Sequence, residues 1–440
     1  MQIQNKPLEF RNVIKFWLLI IASVTPLLYF PVAGKLNSYF PKYIFLIIML
    51  TIILFTIILF RKQIYPLIEF DSENKLLLIF YIFLLFSVFF ALDRTTAIVG
   101  SDIRFEGLLT LTSYYLIFLC SRTIKNIDKK FILIMVFVGT LISTHGIMQV
   151  YGIDPVPSYF YPEVVLNMHS SFSSMGQPNH LGTYLVLLIP FAVYLYFDKN
   201  QPVGFFFYSV IFFALLCTNT RGAWIGFGIS IFAFFILKFK NYGIEKIEKK
   251  KILYTLLASI FLLFIYTFTN DNSFGARFIS IFSDFSKATS GANNSYRAGS
   301  GRIGIWTEVI ELIKLRPIFG VGIDNLSIAL KTFCEQDIMT KFGPIGFVNW
   351  SKAHNEYLQT AVTSGIPSLI VYISLVAIII KKSVSRIQYS DFYLPLTASL
   401  VGFYIIGFFN NETINFAYLL WMFLGFACSK EIISYSAKKR

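Results

Sequence analysis

The sequence predicts an all-α polytopic membrane protein of about twelve transmembrane helices, with one long extracytoplasmic loop containing short helices. Three observations predict it. First, 56% of the 440 residues are hydrophobic and 14% are charged, and the mean hydropathy is +0.65. A soluble domain carries about 25% charged residues, so this chain has too little polar material to cover a water-facing surface of its size. Second, the apolar residues come in unbroken runs rather than helical stripes: 43–60, 76–92 and 252–269 contain no charged residue. Each run approaches the roughly 20 residues that carry a helix across about 30 Å of hydrocarbon. Third, the basic residues fall on alternate connections between the runs.

Taken in order, Lys6, Arg11 and Lys15 precede an apolar stretch at 16–30. A cleaved signal peptide is the competing reading, but the run is long and the chain after it is membrane-embedded, so it is taken as the first helix. Helices are expected near 14–33, 43–60, 76–92, 107–120, 131–150, 181–197, 204–218, 222–238, 252–269, 356–380, 392–409 and 412–429. The chain thus divides into helices 1–9 (residues 1–269), an extracytoplasmic loop (270–355), and helices 10–12 with a basic cytoplasmic tail (356–440).

A cytoplasmic N-terminus makes the inner connections strongly basic. They hold Arg61, Lys62 and Lys75, then Arg122, Lys125, Lys129 and Lys130, then Lys199. Lys238, Lys240, Lys246 and Lys249–Lys251 follow, and after them Lys381, Lys382 and Arg386 and the tail Lys430, Lys438, Lys439 and Arg440. The short outer connections hold only Lys35, Lys42, Arg94, Arg104 and Arg221. This asymmetry places both termini in the cytoplasm and accounts for most of the +14 net charge, which then speaks of an anionic inner leaflet and not of nucleic acid.

Two outer connections are long. Residues 151–180 contain no Lys or Arg. Residues 270–355 mix Gly/Ser/Asn-rich stretches with a short helix at 303–315, where Ile305, Val309, Leu312 and Ile313 share a face and Pro317 ends the run. A connection this long is usually functional or disordered, and its aromatic and aliphatic content argues against disorder. Cys120, Cys217 and Cys428 lie in or beside apolar runs and Cys334 stands alone. No spacing among them suggests a metal or redox pair, so they read as small buried hydrophobes.

The apolar runs contain almost no ionisable residues. Transporters usually need such groups, or broken helices, at the midplane. Polar functionality is concentrated at the outer surface instead, which favours work on a substrate presented there, such as a lipid-linked molecule. Arg104, Arg221 and Arg302 stand on the side that charge bias should deplete, and arginine's planar fork matches phosphate oxygens. A single interfacial Arg can equally snorkel to headgroups; several together are harder to explain so. His354, in Ala353-His354-Asn355-Glu356-Tyr357, precedes a long helix whose positive dipole end favours the neutral imidazole that a general base requires. Capping is its ordinary alternative. The run Gln177-Pro178-Asn179-His180 opens the sixth helix with donors and acceptors, where turn chemistry would also suffice. Gly320-Val321-Gly322 is too short for a nucleotide loop, and no phosphate-binding G-x-x-x-x-G-K-[ST] occurs.

Arg221-Gly-Ala-Trp, the stretch Arg302…Trp306…Pro317…Gly320-Val321-Gly322, and Ala353-His354-Asn355-Glu356-Tyr357-Leu358 together resemble the O-antigen ligase superfamily, which includes O-antigen ligases, O-antigen polymerases and bacterial O-oligosaccharyltransferases. Gln177-Pro178-Asn179 and Arg104-Phe105-Glu106-Gly107 resemble stretches of the ligase and O-oligosaccharyltransferase branches. The resemblance runs through nearly the whole chain in order. It implies a transferase of the bacterial cytoplasmic membrane, working without metal or cofactor, that moves a polyprenyl-pyrophosphate-linked glycan onto a hydroxyl of a glycan, lipid or protein acceptor. It further implies that Arg221 and Arg302 hold the pyrophosphate and that His354 orients or deprotonates the acceptor. Arg104, Gln177, Asn179, His180, Asn355 and Tyr357 are expected to position donor or acceptor. The competing class is a lipid-linked oligosaccharide flippase, which should line a path through the membrane with cations and needs no such His; a structural assembly factor would leave the Arg/His pattern unexplained.

Overall fold

The computed structural model describes residues 9–32, 35–64, 71–124, 126–157, 160–161, 170–197, 199–243, 248–270, 275, 279, 302–342 and 350–429. Lys6, Lys125, Lys246, the Gly/Ser/Asn-rich stretch 280–301 and the basic tail from Lys430 lie outside them.

The described chain is helical apart from one antiparallel hairpin, β1 (Phe30–Val32) with β2 (Lys35–Asn37). Its helices are α1 (Phe10–Val24), α2 (Phe40–Leu59), α3 (Arg61–Ile64), α4 (Ser72–Phe89), α5 (Arg94–Val99), α6 (Leu108–Arg122) and α7 (Lys129–Val150). They continue with α8 (Pro178–Phe197), α9 (Pro202–Cys217), α10 (Arg221–Tyr242), α11 (Lys249–Thr269) and α12 (Arg302–Leu315). The last six are α13 (Leu326–Phe333), α14 (Glu335–Phe342), α15 (Glu356–Ser364), α16 (Ile366–Arg386), α17 (Tyr393–Ile406) and α18 (Ala417–Cys428). Eight of them (α1, α2, α4, α7, α8, α10, α11 and α16) are long and apolar enough to cross a membrane, and α6, α9, α17 and α18 are shorter apolar helices. The protein is a multi-pass membrane protein.

Side-chain chemistry sets several helix starts. Asp71, Asp93 and Asp128 each turn a carboxylate onto amides of the turn that follows, satisfying donors that a helix N-terminus leaves orphaned. Three expected boundaries move. The first helix, expected to reach 33, ends at Val24 with a short turn through Pro26 to Leu27, and Phe30–Val32 is strand β1. The single helix expected at 356–380 is broken at Gly365 into α15 and α16. Gly365 has φ +93° and a Cβ there would run into the Ile318 carbonyl, and Pro367 opens the next helix. The helix expected from 412 begins at Ala417, because Asn410, Glu412 and Asn415 spend polar groups on tertiary bonds.

The bundle centres on α8, of whose 18-residue apolar window 94% is buried and which packs on α7, α9, α10 and α17. The α10–α17 contact is the most extensive in the fold. Small residues make it possible: a Cβ on Gly402 would lie 2.7 Å from that of Ser230, and Ser230 Oγ donates to the Ala398 carbonyl at 2.8 Å. Close approach of this kind, with hydrogen bonds between helices, is what holds helices together where lipid competes for apolar surface. At the other extreme α11 leans on α9, with 6% of its window buried and Leu253, Leu257, Phe261 and Phe268 exposed.

The connections sort to two ends. At one, Lys15 pairs with Asp128 and Lys199 with Asp391, both at 2.7 Å, while Arg122 meets Asp71 and Lys382 meets Glu73. These are the connections expected to be cytoplasmic. The opposite end gathers 100–107, 170–180, 218–221, α12–α14, 350–356 and 407–416.

Candidate functional site

A sealed ion triad anchors this opposite end. Lys352 Nζ lies 2.6 Å from Glu106 and 3.0 Å from Asp324, and all three side chains are at most 7% exposed. Asp324 also accepts from the Ser101 amide (2.7 Å) and Glu106 from the Ile414 amide (3.0 Å). Burial opposes the ammonium, but Asp324 and Glu106 outweigh it and hold the Lys352 pKa above its ordinary value. Three distant stretches of chain are thereby fixed to one another. Gly320-Val321-Gly322 assists: the Val321 amide donates to the Val362 carbonyl (2.8 Å) and that of Gly322 to Thr363 (3.1 Å).

The residues between α14 and α15 present His354. Ala353 is gripped from both sides, its carbonyl accepting from Trp306 Nε1 (2.9 Å) and its amide donating to Gln359 Oε1 (2.8 Å). Asn355 caps α15 by accepting the Tyr357 and Leu358 amides at 3.0 Å each. His354 between them is held at φ +50°, a left-handed conformation that costs a non-glycine residue of order 1 kcal/mol or more and recurs at functional sites. Its Nδ1 is buried without a partner among the described residues. Burial, and then the charges of Arg302, Arg104 and Lys352, push its pKa down to about 3, so the imidazole is neutral at physiological pH.

Arg302 opens α12 and Arg221 opens α10, so two positive helix termini and two guanidiniums face one region. Burial and the Arg221 charge push Arg302 down to about 10. A narrow cleft of about 10 Å³, room for little more than a water, runs from Arg302 to Asn179, Thr183, Thr220 and Asn410. Asn410 Nδ2 donates to Thr183 Oγ1 (2.9 Å) and the Asn179 carbonyl (3.4 Å). Like charges held together in a part-buried place make an anion site, because the anion removes both the repulsion and the desolvation.

Arg104 donates to Tyr39 Oη and Ser351 Oγ at 3.2 Å each, and its Nε is buried without a partner among the described residues. His180, 2% exposed, lies beside Tyr39 and Asn415. Gln177 meets α8 through its carbonyl, which accepts the His180 and Leu181 amides. Asn355 and Tyr357 have their polar groups engaged in the fold: Asn355 Nδ2 donates to the Phe408 carbonyl and the Tyr357 hydroxyl to that of Tyr404 (2.7 Å). The structure therefore brings Arg221, Arg302 and Asn179 together, and Arg104, His180 and His354. Sequence reasoning missed Lys352, Asp324, Tyr39, Asn415 and Lys42. Lys42 reads as an outer-connection charge but lies inside α2, 0% exposed. Among the described residues no group of three or more His, Cys, Asp or Glu is arranged to hold a metal ion, and all four cysteines are buried and free.

Fold and site define a multi-pass helical membrane protein with a cationic, histidine-bearing site at one end of its bundle. Residues 205–373 match the family described as O-antigen ligase, as the motifs lead one to expect. That match contains Arg221, Arg302 and His354. A general O-oligosaccharyltransferase of Acinetobacter baylyi is 25% identical over 212 residues, 46% of this chain and 34% of the relative. The alignment thus spans about a third of that protein's length.

Proposed function

We propose that the protein is a membrane glycosyltransferase that moves a polyprenyl-pyrophosphate-linked glycan onto an acceptor hydroxyl at the outer face of the cytoplasmic membrane. The observation that carries this is the pairing of two helix-opening arginines, Arg221 and Arg302, with a neutral, left-handed His354 facing the Arg302 charge. In this reading the acceptor oxygen attacks the anomeric carbon, the bond from that carbon to the pyrophosphate oxygen breaks, and the acceptor's proton passes to His354. Arg221 and Arg302 stabilise the charge left on the departing pyrophosphate. Asn179 lines the cleft with Arg302, and Gln177 stands at its helix end; both position donor or acceptor, as Arg104 does. Asn355 and Tyr357 act by holding the His354 turn. Metal plays no part.

The architecture that goes with this reading has about twelve membrane passes, the four shorter apolar helices crossing with the eight long ones. Both termini and the ion-pair end are cytoplasmic, 270–355 is extracytoplasmic, and helical units 1–269 and 356–440 flank it. The name of the relative, an O-oligosaccharyltransferase, is consistent with transfer to a hydroxyl oxygen; a protein acceptor is the second reading, and repeated transfer, as by a polymerase, uses the same site. Purified protein with lipid-linked glycan tests the proposal. Arg302→Ala and His354→Ala should each abolish transfer, and wild-type rates for both would sink it. Lipid-linked glycan crossing vesicles without any transfer would point to the flippase class instead.

A further inference from the structure

Lys42 is sealed inside a membrane-spanning helix, and neither of its strong partners is an acid. Its Nζ donates to the Ser174 carbonyl and to Asn415 Oδ1, both at 2.7 Å. Nζ is the donor in both bonds, so Asn415 turns its oxygen to Lys42 and its NH2 the other way, where His180 Nδ1 lies 3.2 Å off. Tyr39 Oη lies 3.5 Å from the same nitrogen and accepts from Arg104, which leaves the tyrosine's own proton free to point at His180. The Asn415 NH2 is thus the nearest group to Nδ1. The Met175 carbonyl at 3.4 Å and Tyr39 Oη at 3.5 Å both stand farther off, and a proton on Nδ1 would face the Asn415 NH2 donor to donor. Nδ1 is therefore the acceptor, and the one proton of the neutral ring sits on Nε2. All the hydrogen bonds of the His180 ring among the described residues go to Nδ1, so Nε2–H is an uncommitted donor. Tyr39 and Phe416 meet the ring edge-on, centroids 6.0 and 6.1 Å away, and hold its plane. The fixed charge facing it, the Arg104 guanidinium, is cationic, and a guanidinium beside the ring favours an oxygen-bearing ligand.

We propose that Lys42 and Asn415 are positioning residues that fix His180 as a hydrogen-bond donor, its Nε2–H given to an oxygen of the phosphate- or sugar-bearing substrate. The two histidines then divide the work: His354 handles the acceptor's proton, and His180 only donates. The substrate class rests on the transfer reading above; the position of the proton does not.

Full-length protein carrying 15N-histidine, in lipid nanodiscs, tests this, with His180→Gln assigning the resonance. The wild type should show His180 neutral and protonated at Nε2. Asn415→Asp is nearly isosteric and keeps the Lys42 contact, but it presents a carboxylate oxygen to Nδ1 and should draw a proton there. Binding of farnesyl pyrophosphate reads the phosphate arm, and the KM for lipid-linked glycan reads the sugar arm. Asn415→Asp should weaken one arm about tenfold, the worth of one such bond, and the arm that weakens names the oxygen. His180→Gln, whose amide NH2 reaches the place of Nε2–H, should keep binding, and His180→Asn should lose it. A wild-type ring protonated at Nδ1, or a proton shift in Asn415→Asp that leaves both arms unchanged, would overturn the proposal. Should no donor support transfer while the proton shift and the loss of farnesyl pyrophosphate binding persist, the transfer reading fails and this one stands.

Discussion

His354 is a weak base because it is buried and its charged neighbours are cations, and those cations are the groups proposed to hold an anion. Binding a pyrophosphate places negative charge beside Arg302 and Arg221 and removes part of what depresses the imidazole, so its pKa rises when the donor arrives. The profile of kcat/KM, which reports the free enzyme, should therefore stay flat from pH 8 down to about 5, with no limb near the ordinary histidine value of about 6.5. The profile of kcat, which reports the complex, should show its acidic limb at higher pH; coincident limbs would count against the assignment. Stability follows the same sign. Below about pH 6.5 the unfolded chain's imidazole takes a proton that the folded one refuses, so His354 costs stability progressively as pH falls toward 3. The Lys352 triad gives a second prediction at this scale. Lys352→Met leaves Glu106 and Asp324 buried against each other, a loss of about 3–5 kcal/mol. Glu106→Gln keeps one acceptor oxygen, enough for the lysine or the Ile414 amide but not both, and leaves the Lys352–Asp324 pair intact, so it should cost less. Thermal unfolding of the detergent-solubilised protein checks the order, and equal losses would contradict it.

Elements show the same economy of means, and the break at Gly365 is the clearest case. Its φ of +93° and the Ile318 carbonyl beside it leave no place for a Cβ, while the Ile366 amide donates to the Pro317 carbonyl at 2.8 Å. Gly365→Ala should lower folded yield more than Gly228→Ala, where a Cβ meets nothing within 4 Å, as size-exclusion profiles would report; equal yields would refute the clasp. The apolar runs were legible because each carries its own signal, an uncharged block of membrane length. Most expected apolar helices correspond to a helix with ends displaced by a few residues; the first stops well short of 33, and the one expected at 356–380 is two helices. The break at 365 was not legible, since Gly-Ile-Pro is tolerated within apolar helices and only the approach of Pro317–Phe319 makes it compulsory. Lys42 was misread for a related reason. One lysine near the edge of an apolar run looks like a loop charge until Ser174 and Asn415, 132 and 373 residues away, are seen to take it. Arg221, Arg302 and His354 stood out because their chemistry is unusual where they stand. Lys352 and Asp324 did not, because a charge in a long polar segment is unremarkable until its burial is known.

At the scale of the whole molecule, the charges that define inside and outside also build the two ends. Connections expected to be cytoplasmic tie one another together through Lys15–Asp128, Lys199–Asp391 and the Arg122–Asp71 and Lys382–Glu73 pairs. The site assembles at the far end of the same helices, from segments that span Tyr39 to Asn415. In the proposed reading, a basic end facing the cytoplasm puts the site opposite a lipid-linked donor already carried across the membrane, and the bond from the glycan to its pyrophosphate, not a nucleotide, supplies the energy. Orientation is therefore a functional claim, and it can be read directly. The four native cysteines are buried, so background labelling is low. Lys314, on α12, is exposed and pairs only loosely with Glu311 one turn away; Lys240, near the end of α10, is exposed at the opposite end. In intact cells a membrane-impermeant maleimide should modify Lys314→Cys and spare Lys240→Cys, and permeabilisation should make the second reactive. The reverse pattern would put Arg302 and His354 in the cytoplasm. Transfer from a donor presented on the outer leaflet would then be impossible, whatever the individual side chains could do.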